Sequence, residues 1–310
     1  MTKRSFIHKK KTDIGRGMSI ICLITAFLMI SFGEELKAAV YRGFLFAFTT
    51  IIPTLFPFFI LSDLWSACFR INPDSFPARA FKRLFGISGI AMPVWFAGLI
   101  CGFPLAVKNA AKLKREGMIS IDEFERLAGF SNNPSLAFVI FGVGGGILGS
   151  VRHGVWLYIS VILSSIIVGI IFRSKAATPS YFNDNSRQTF DLVESIKSAG
   201  INSITVASYI IFFSGIIGLL SEIVGEPVFT LISPLFEVAN SVKMLSDCKY
   251  LSAMSRFSLI SLALGFSGFS VHLQAFSLFP SEAKKIRYLI MKLLQGFVCA
   301  AISTIIFFFI

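Results

Sequence analysis

Between Gly102 and Ser150 the chain reads GFPLAVKNAAKLKREGMISIDEFERLAGFSNNPSLAFVIFGVGGGILGS, a stretch that begins and ends in apolar sequence. Set into it are an ammonium (Lys108), hydroxyl and amide groups (Ser131, Asn132, Asn133), two prolines (Pro104, Pro134) and glycines at 142, 144, 145 and 146. A second group follows: Glu237 with Asn240 three positions on, then Gly268, Ser270, His272 and Gln274 within GFSVHLQ. Cations, amides and imidazoles embedded in apolar sequence suit the binding and release of a polar solute. Helix breakers and polar groups persist at bilayer depth only where protein or a water-filled cavity satisfies the freed backbone groups. The first stretch therefore reads as one wall of a polar site inside a membrane bundle. The competing reading is packing, with asparagines joining helices and glycines permitting close approach. Bond-breaking chemistry has no foothold. GxSxG, HExxH and P-loop patterns are missing, and Cys22, Cys68, Cys101, Cys248 and Cys299 are dispersed without CxxC spacing. The expectation is no catalytic residue, no metal, no cofactor and no enzyme.

The composition supports that setting. Of 310 residues 55% are apolar, 35 are phenylalanine and 15% are charged, against about 25% charged in ordinary soluble domains. A water-soluble globule of this balance would expose large apolar patches, so the fold class is an all-α polytopic membrane protein. The net charge of +12 sits in short segments between apolar runs. Orientation signals and anionic headgroups explain it, and a nucleic-acid partner is not expected.

In chain order, a basic cytoplasmic tail (1–17) leads into a first membrane half (18–172), a soluble linker (173–197) and a second membrane half (198–310). The apolar run from Met18 to Phe32 reads as a retained first helix with a cytoplasmic N-terminus. Pro53 and Pro57 predict a kinked or broken helix within Gly43–Trp65. The segment 66–84 reads as a basic loop, 85–107 as apolar, and 108–126 as a polar helical connector. Segments 127–149 and 154–172 read as crossings. In the second half, 199–221, 227–242, 257–279 and 288–310 are apolar, the last with the look of a lipid-facing helix.

Two weakly repeated halves with broken or re-entrant helices emerge when 39–65 is laid over 191–217 and GFPLAVK (102–108) over GFSVHLQ (268–274). Matching broken segments in two halves point to a transporter's binding site. Whether 85–107 and 257–279 cross or re-enter stays open at this level, and with it whether the halves are parallel or inverted. Two re-entrant segments would favour inversion, yet the basic residues around both place them on one face.

The ordered set GFPLAVKNAAKL, ISIDEFERLAGFSNNPSLAFVIFGVGGGILG, LFEVANSVKML and GFSGFSVHLQ resembles the sporulation integral membrane protein family of the YlbJ type, from about residue 40 onward. Members carry GFPxGAK, a RLlaFcNNsgP segment, LEvtnG and GGlSVHxQ in the same order; here Leu105, Val107 and Ser241 stand where the family has small residues. The family is similar to gate-domain proteins related to nucleoside transporters. The resemblance implies a multi-pass protein of the cell membrane or outer forespore membrane that moves dipicolinic acid toward the spore, alone, as a homo-oligomer or with other sporulation membrane proteins. Alternatives are another metabolite as cargo, nucleoside-like, and a structural or assembly role in the spore envelope.

Dipicolinate is a small aromatic dianion, which needs positive potential, donors and a flat apolar slot. Lys108 or half-helix ends near Gly102 and Gly268 are candidates for the first. Ser131, Asn132, Asn133, Ser270, His272 and Gln274 are candidates for the second, and Phe103 and Phe269 for the third. Glu237, with Asn240 on the same helix face, is a candidate proton carrier or ion-pair partner of Lys108 or His272.

Overall fold

The computed structural model describes residues 23, 26, 27, 29–68, 71–174 and 191–309. The basic tail, most of the 18–32 run and most of the linker lie outside the described residues. The described chain is helical throughout its regular structure, and five helices are long and apolar enough to cross a membrane: Gly33–Trp65, Val151–Ile171, Leu192–Val224, Ala253–Phe276 and Lys285–Phe307.

Helix α1 (Gly33–Phe46) passes through a π-helical turn, Ala47–Ile51, into α2 (Ile52–Cys68). Of the kink or break expected from Pro53 and Pro57, the break does not occur, since Gly33–Trp65 is one continuous span. A proline removes a donor from the turn before it, and that turn widens to π geometry while Thr54 Oγ1 donates to the Thr50 carbonyl at 2.7 Å. The expected loop at 66–84 contains an amphipathic helix, α3 (Phe76–Phe85), with Ala78, Phe81 and Phe85 buried and Arg79, Lys82 and Arg83 exposed. The 78/81/85 spacing was its signal, hidden by the basic residues between.

A 98° bend separates α3 from the segment Gly89–Cys101. Helix α4 (Met92–Cys101) breaks at Gly102–Pro104 and continues as α5 (Leu105–Arg115). Helix α6 (Ile121–Ser131) opens with a reciprocal Ser120/Glu123 capping box, unwinds at Asn132–Pro134 and resumes as a π-helix, Phe138–Ile147. Helix α7 (Val151–Ile171) closes the first half. The second half repeats this order. Helix α8 (Leu192–Val224) is followed by α9 (Glu226–Ile232) with a 3-10 turn, Ser233–Leu235, then α10 (Val238–Asp247). Helix α11 (Ala253–Phe266) breaks at Ser267 and resumes as α12 (Gly268–Phe276), and α13 (Lys285–Phe307) ends the described chain.

Contacts between segment ends fix which end of the bundle each occupies. At one end, Trp65 Nε1 donates to the Pro93 carbonyl (3.3 Å), Ser88 N to Glu123 (2.8 Å) and Lys284 N to Glu125 (2.7 Å), and Lys114 pairs with Glu282 (3.3 Å). The α4/α5 pair therefore enters and leaves at this end. At the other end, Arg256 donates to the Ser246 carbonyl (3.0 Å), Ser258 bonds Thr304, and Arg42 lines one cleft with Asp247 and Lys249. Helices α1 and α8 pack antiparallel, with Gly43 against Ser214 and Gly218 against Ala39, so α8 delivers the α9/α10 pair to that other end, where it also leaves. Each half thus reads span, bent pair, broken helix, span, and the second runs in the opposite direction to the first.

This bears on two of the apolar segments. Residues 227–242 belong to the α9/α10 pair, which enters and leaves at one end, whereas 253–276, left open between crossing and re-entry, form a broken span whose ends lie at opposite ends of α13. By element order, Gly102 corresponds to Glu237, and Asn132 to Ser267, so laying GFPLAVK over GFSVHLQ pairs non-equivalent breaks. The conflict between inversion and basic residues came from that pairing.

Candidate substrate site

Four breaks meet near the middle of the bundle, two from each half. Gly102 has φ +83°, and a Cβ there would come within 2.7 Å of the Ser135 amide nitrogen; only glycine lets the first bent pair touch the unwound part of the α6 segment. The second half repeats the contact. Gly268, at φ +76°, lies against the backbone of Phe236 and Glu237, and Ser270 N donates to the Phe236 carbonyl at 2.9 Å. Ser267, beside it, is held in the left-handed region at φ 77°, a conformation that persists in non-glycine residues only under surrounding constraint.

Between these two contacts lies a cavity lined by Cys101, Gly102, Phe103 and Ser135 from the first half and by Glu237, Ser270 and Gln274 from the second, with Ile51, Leu55 and Val206 among its apolar walls. Its water-accessible space is about 30 Å³, room for a water or two; a benzene-sized guest occupies about 150 Å³. A guest of that size does not fit the cavity in this arrangement. The side-chain oxygen of Gln274 is buried without a partner, an open position for a donor.

The predicted site residues divide into three groups. Gly102, Phe103, Glu237, Ser270 and Gln274 line the cavity, and Gly268 shapes it from behind. Asn132, Asn133 and His272 are buried together elsewhere, against α13. Asn132 Nδ2 donates to Tyr288 Oη (2.7 Å), His272 Nδ1 lies 3.3 Å from the same hydroxyl, and Gln295 Nε2 donates to Asn133 Oδ1 (2.6 Å). Ser131 Oγ bonds back to the Leu127 carbonyl (2.6 Å). The remaining two are not brought to the cavity. Lys108 is half-buried on α5, one turn past the break. Asn240 donates to Ser214 Oγ (2.9 Å) and faces a separate, wider cleft with Arg42, Lys243 and Asp247.

Glu237 is not within a helix beside Asn240, as expected. It is the N-cap of α10, its carboxylate accepting from the amides of Ala239 (2.9 Å) and Asn240 (2.7 Å), where the positive end of the helix favours a negative charge. No ion pair joins it to Lys108 or His272 among the described residues. Phe269 is 44% exposed and points away from the cavity walls, while Phe103 is part of them.

Sequence reasoning found the helix α13 but missed its buried polar face. The helix is not merely lipid-facing: Tyr288, Lys292, Gln295, Cys299 and Ser303 are fully buried on one side. Lys292 Nζ donates to the Asn132 carbonyl (2.9 Å) and to Gln295 Oε1 (2.8 Å). Polar residues at 288, 292, 295, 299 and 303 follow the three-and-four spacing of one helix face, a signal obscured by the apolar C-terminal run.

Arg126, read as part of a basic connector, is also buried. Its guanidinium donates to the carbonyls of Phe85 and Gly86 (both 2.9 Å) and to Asp122 (2.9 Å). It thereby satisfies the otherwise unpartnered C-terminal carbonyls of α3. Arg287 joins Asp122 (2.6 Å) and Glu125 (3.4 Å), tying α6 to the start of α13.

The chain is similar to the sporulation integral membrane protein YlbJ of Bacillus subtilis (strain 168): 26% identical over 291 residues, covering 79% of this chain and 71% of that protein. No model of a known protein family matches it, and no solved structure does.

Proposed function

From its similarity to a sporulation integral membrane protein of the YlbJ type, we propose that the chain serves sporulation by carrying a small organic anion, dipicolinate, across a membrane. The single observation behind this reading is the convergence of four helix breaks, two from each inverted half, on one cavity lined by both. Breaks leave backbone amides and carbonyls free, and such backbone is kept at membrane depth where it lines a solute path. The α4/α5 and α9/α10 pairs act as re-entrant hairpins from opposite faces, their tips meeting beside the cavity. Rocking one half against the other would expose it to each side in turn. Phe103 offers the ring an apolar face, while Ser270 and the Gln274 amide offer donors. Glu237 already rests on the α10 amides, which draws its charge away from an incoming carboxylate.

The basic ends support an orientation with α3, the 116–120 turn and the 277–284 turn in the cytoplasm. Arg79, Lys82, Arg83, Lys112, Lys114, Arg115, Lys284 and Lys285 all lie at that end.

The test is dipicolinate content of spores and uptake into proteoliposomes. Replacing Gln274→Leu and Phe103→Ala together is expected to reduce both at least tenfold with membrane insertion normal. Wild-type accumulation by that variant would reject the cavity as the route and favour a role in envelope assembly.

A further inference from the structure

Lys292 is fully buried two turns into α13, yet no carboxylate lies within ion-pair distance among the described residues. An unpaired ammonium at this depth is expensive. Its partners are two acceptors, the Asn132 carbonyl and Gln295 Oε1. A neutral amine has two N–H groups and a lone pair, so two acceptors satisfy it; an ammonium has three donors and would lack one partner. Close by, two polar atoms are buried with no partner at all, Asn132 Oδ1 and His272 Nε2. Both residues meet at the Tyr288 hydroxyl. The titratable groups around Lys292 are Tyr288 and Cys299 on its own helix and His272 on α12. At this level the Asn132–Pro134 break presents Asn132 and Asn133, α7 presents Ser165 and α11 presents Ser261, none of them acidic.

We propose that Lys292 is the proton-binding site of the transport cycle: a neutral amine in this arrangement, it takes a proton from water when the Asn132–Pro134 break opens to one side, and returns it on the other. This deepens the transport reading above and rests on it. The Asn132 carbonyl lies at the C-terminal end of α6, where the helix dipole favours a cation. Protonation strengthens that contact and adds a third N–H, for which Asn132 Oδ1 is the unpartnered acceptor on the same residue. Turning the Asn132 amide toward Lys292 breaks its bond to Tyr288 and so loosens the break from α13. Ser135, three residues on, both lines the cavity and supports Gly102, so the movement reaches the cavity wall directly. One proton carried per cycle also offsets part of the charge of a dianionic cargo.

Two readouts on the full reconstituted chain separate this inference from the transport reading. The first is dipicolinate uptake with and without an acid-outside gradient. The expected result is a several-fold stimulation by the gradient that disappears in Lys292→Met. The second needs no cargo: labelling of the native Cys101 thiol, which lines the cavity, by N-ethylmaleimide across pH, read peptide by peptide. Labelling relative to Lys292→Met is expected to rise several-fold as pH falls, the thiol's own ionisation being common to both. Gln295→Glu places a carboxylate against the amine and is expected to move the midpoint of that rise toward alkaline pH by about one unit or more. Identical pH dependence in wild type and Lys292→Met overturns the proposal, as does an unshifted midpoint in Gln295→Glu should the methionine variant not insert. Wild-type chain that carries no dipicolinate but still opens with a Lys292-dependent midpoint sinks the cargo and leaves the proton site standing. Uptake whose gradient stimulation survives in Lys292→Met does the reverse.

Discussion

Arg126 shows how much one side chain can hold in place. Its guanidinium completes the C-terminal turn of α3 and pairs with Asp122, both within a shell that leaves it 1% exposed. Arg126→Leu removes the charge and strands two buried carbonyls, so a loss of about 3 kcal/mol is expected, read as a lower unfolding midpoint in detergent. Asp122 belongs to the same cluster at the aqueous end of α6. Burial raises its carboxyl pKa, but the hydrogen bond from Arg287 and the charges of Arg126 and Arg287 outweigh that and hold it below the ordinary carboxylate range. A lowered folded pKa means that the stabilisation is complete above the unfolded value, about 3.9, and is lost as pH falls through the folded one. Unfolding midpoints of wild type and Asp122→Asn are therefore expected to differ at neutral pH and converge in strong acid. Neither residue looked structural in the sequence, because a lysine- and arginine-rich connector reads the same whether its charges face water or cap a neighbouring helix.

At the scale of elements, the breaks were legible and their pairing was not. Gly102–Pro104, Asn132–Pro134 and Gly268 announce themselves through residue types that helices exclude. The break at Phe236–Glu237 does so less, since only Pro234 precedes it and it depends on a carboxylate capping α10. The element order makes a topological prediction. Single cysteines at Ser75, Met118 and Ala283 are expected to react with a membrane-impermeant maleimide from one side, and one at Lys249 from the other. Reaction of all four from the same side would contradict the inverted arrangement. The π-helical turn before Pro53 and the amphipathic α3 belong to this scale too: each is a local answer to a proline or to a stripe of charge, the first where a kink or break was expected and the second where a loop was.

For the whole molecule, the sequence by itself determined the class, because transfer of some twenty apolar residues into a bilayer is a local property that sums along the chain. It also marked three of the four backbone breaks and carried the ordered motifs that make the chain resemble the YlbJ-type family. What only the tertiary structure decided was who meets whom. Asn132 and Asn133 went to α13 instead of the cavity, Lys108 stayed on the flank, and Lys292 is the lysine buried in the interior. Contacts between residues some 160 positions apart, such as Asn133 with Gln295, depend on the direction in which each half is threaded. One mispaired break inverts that direction. Hydropathy carries no information about it, since two apolar helices present the same surface to lipid whichever way they run.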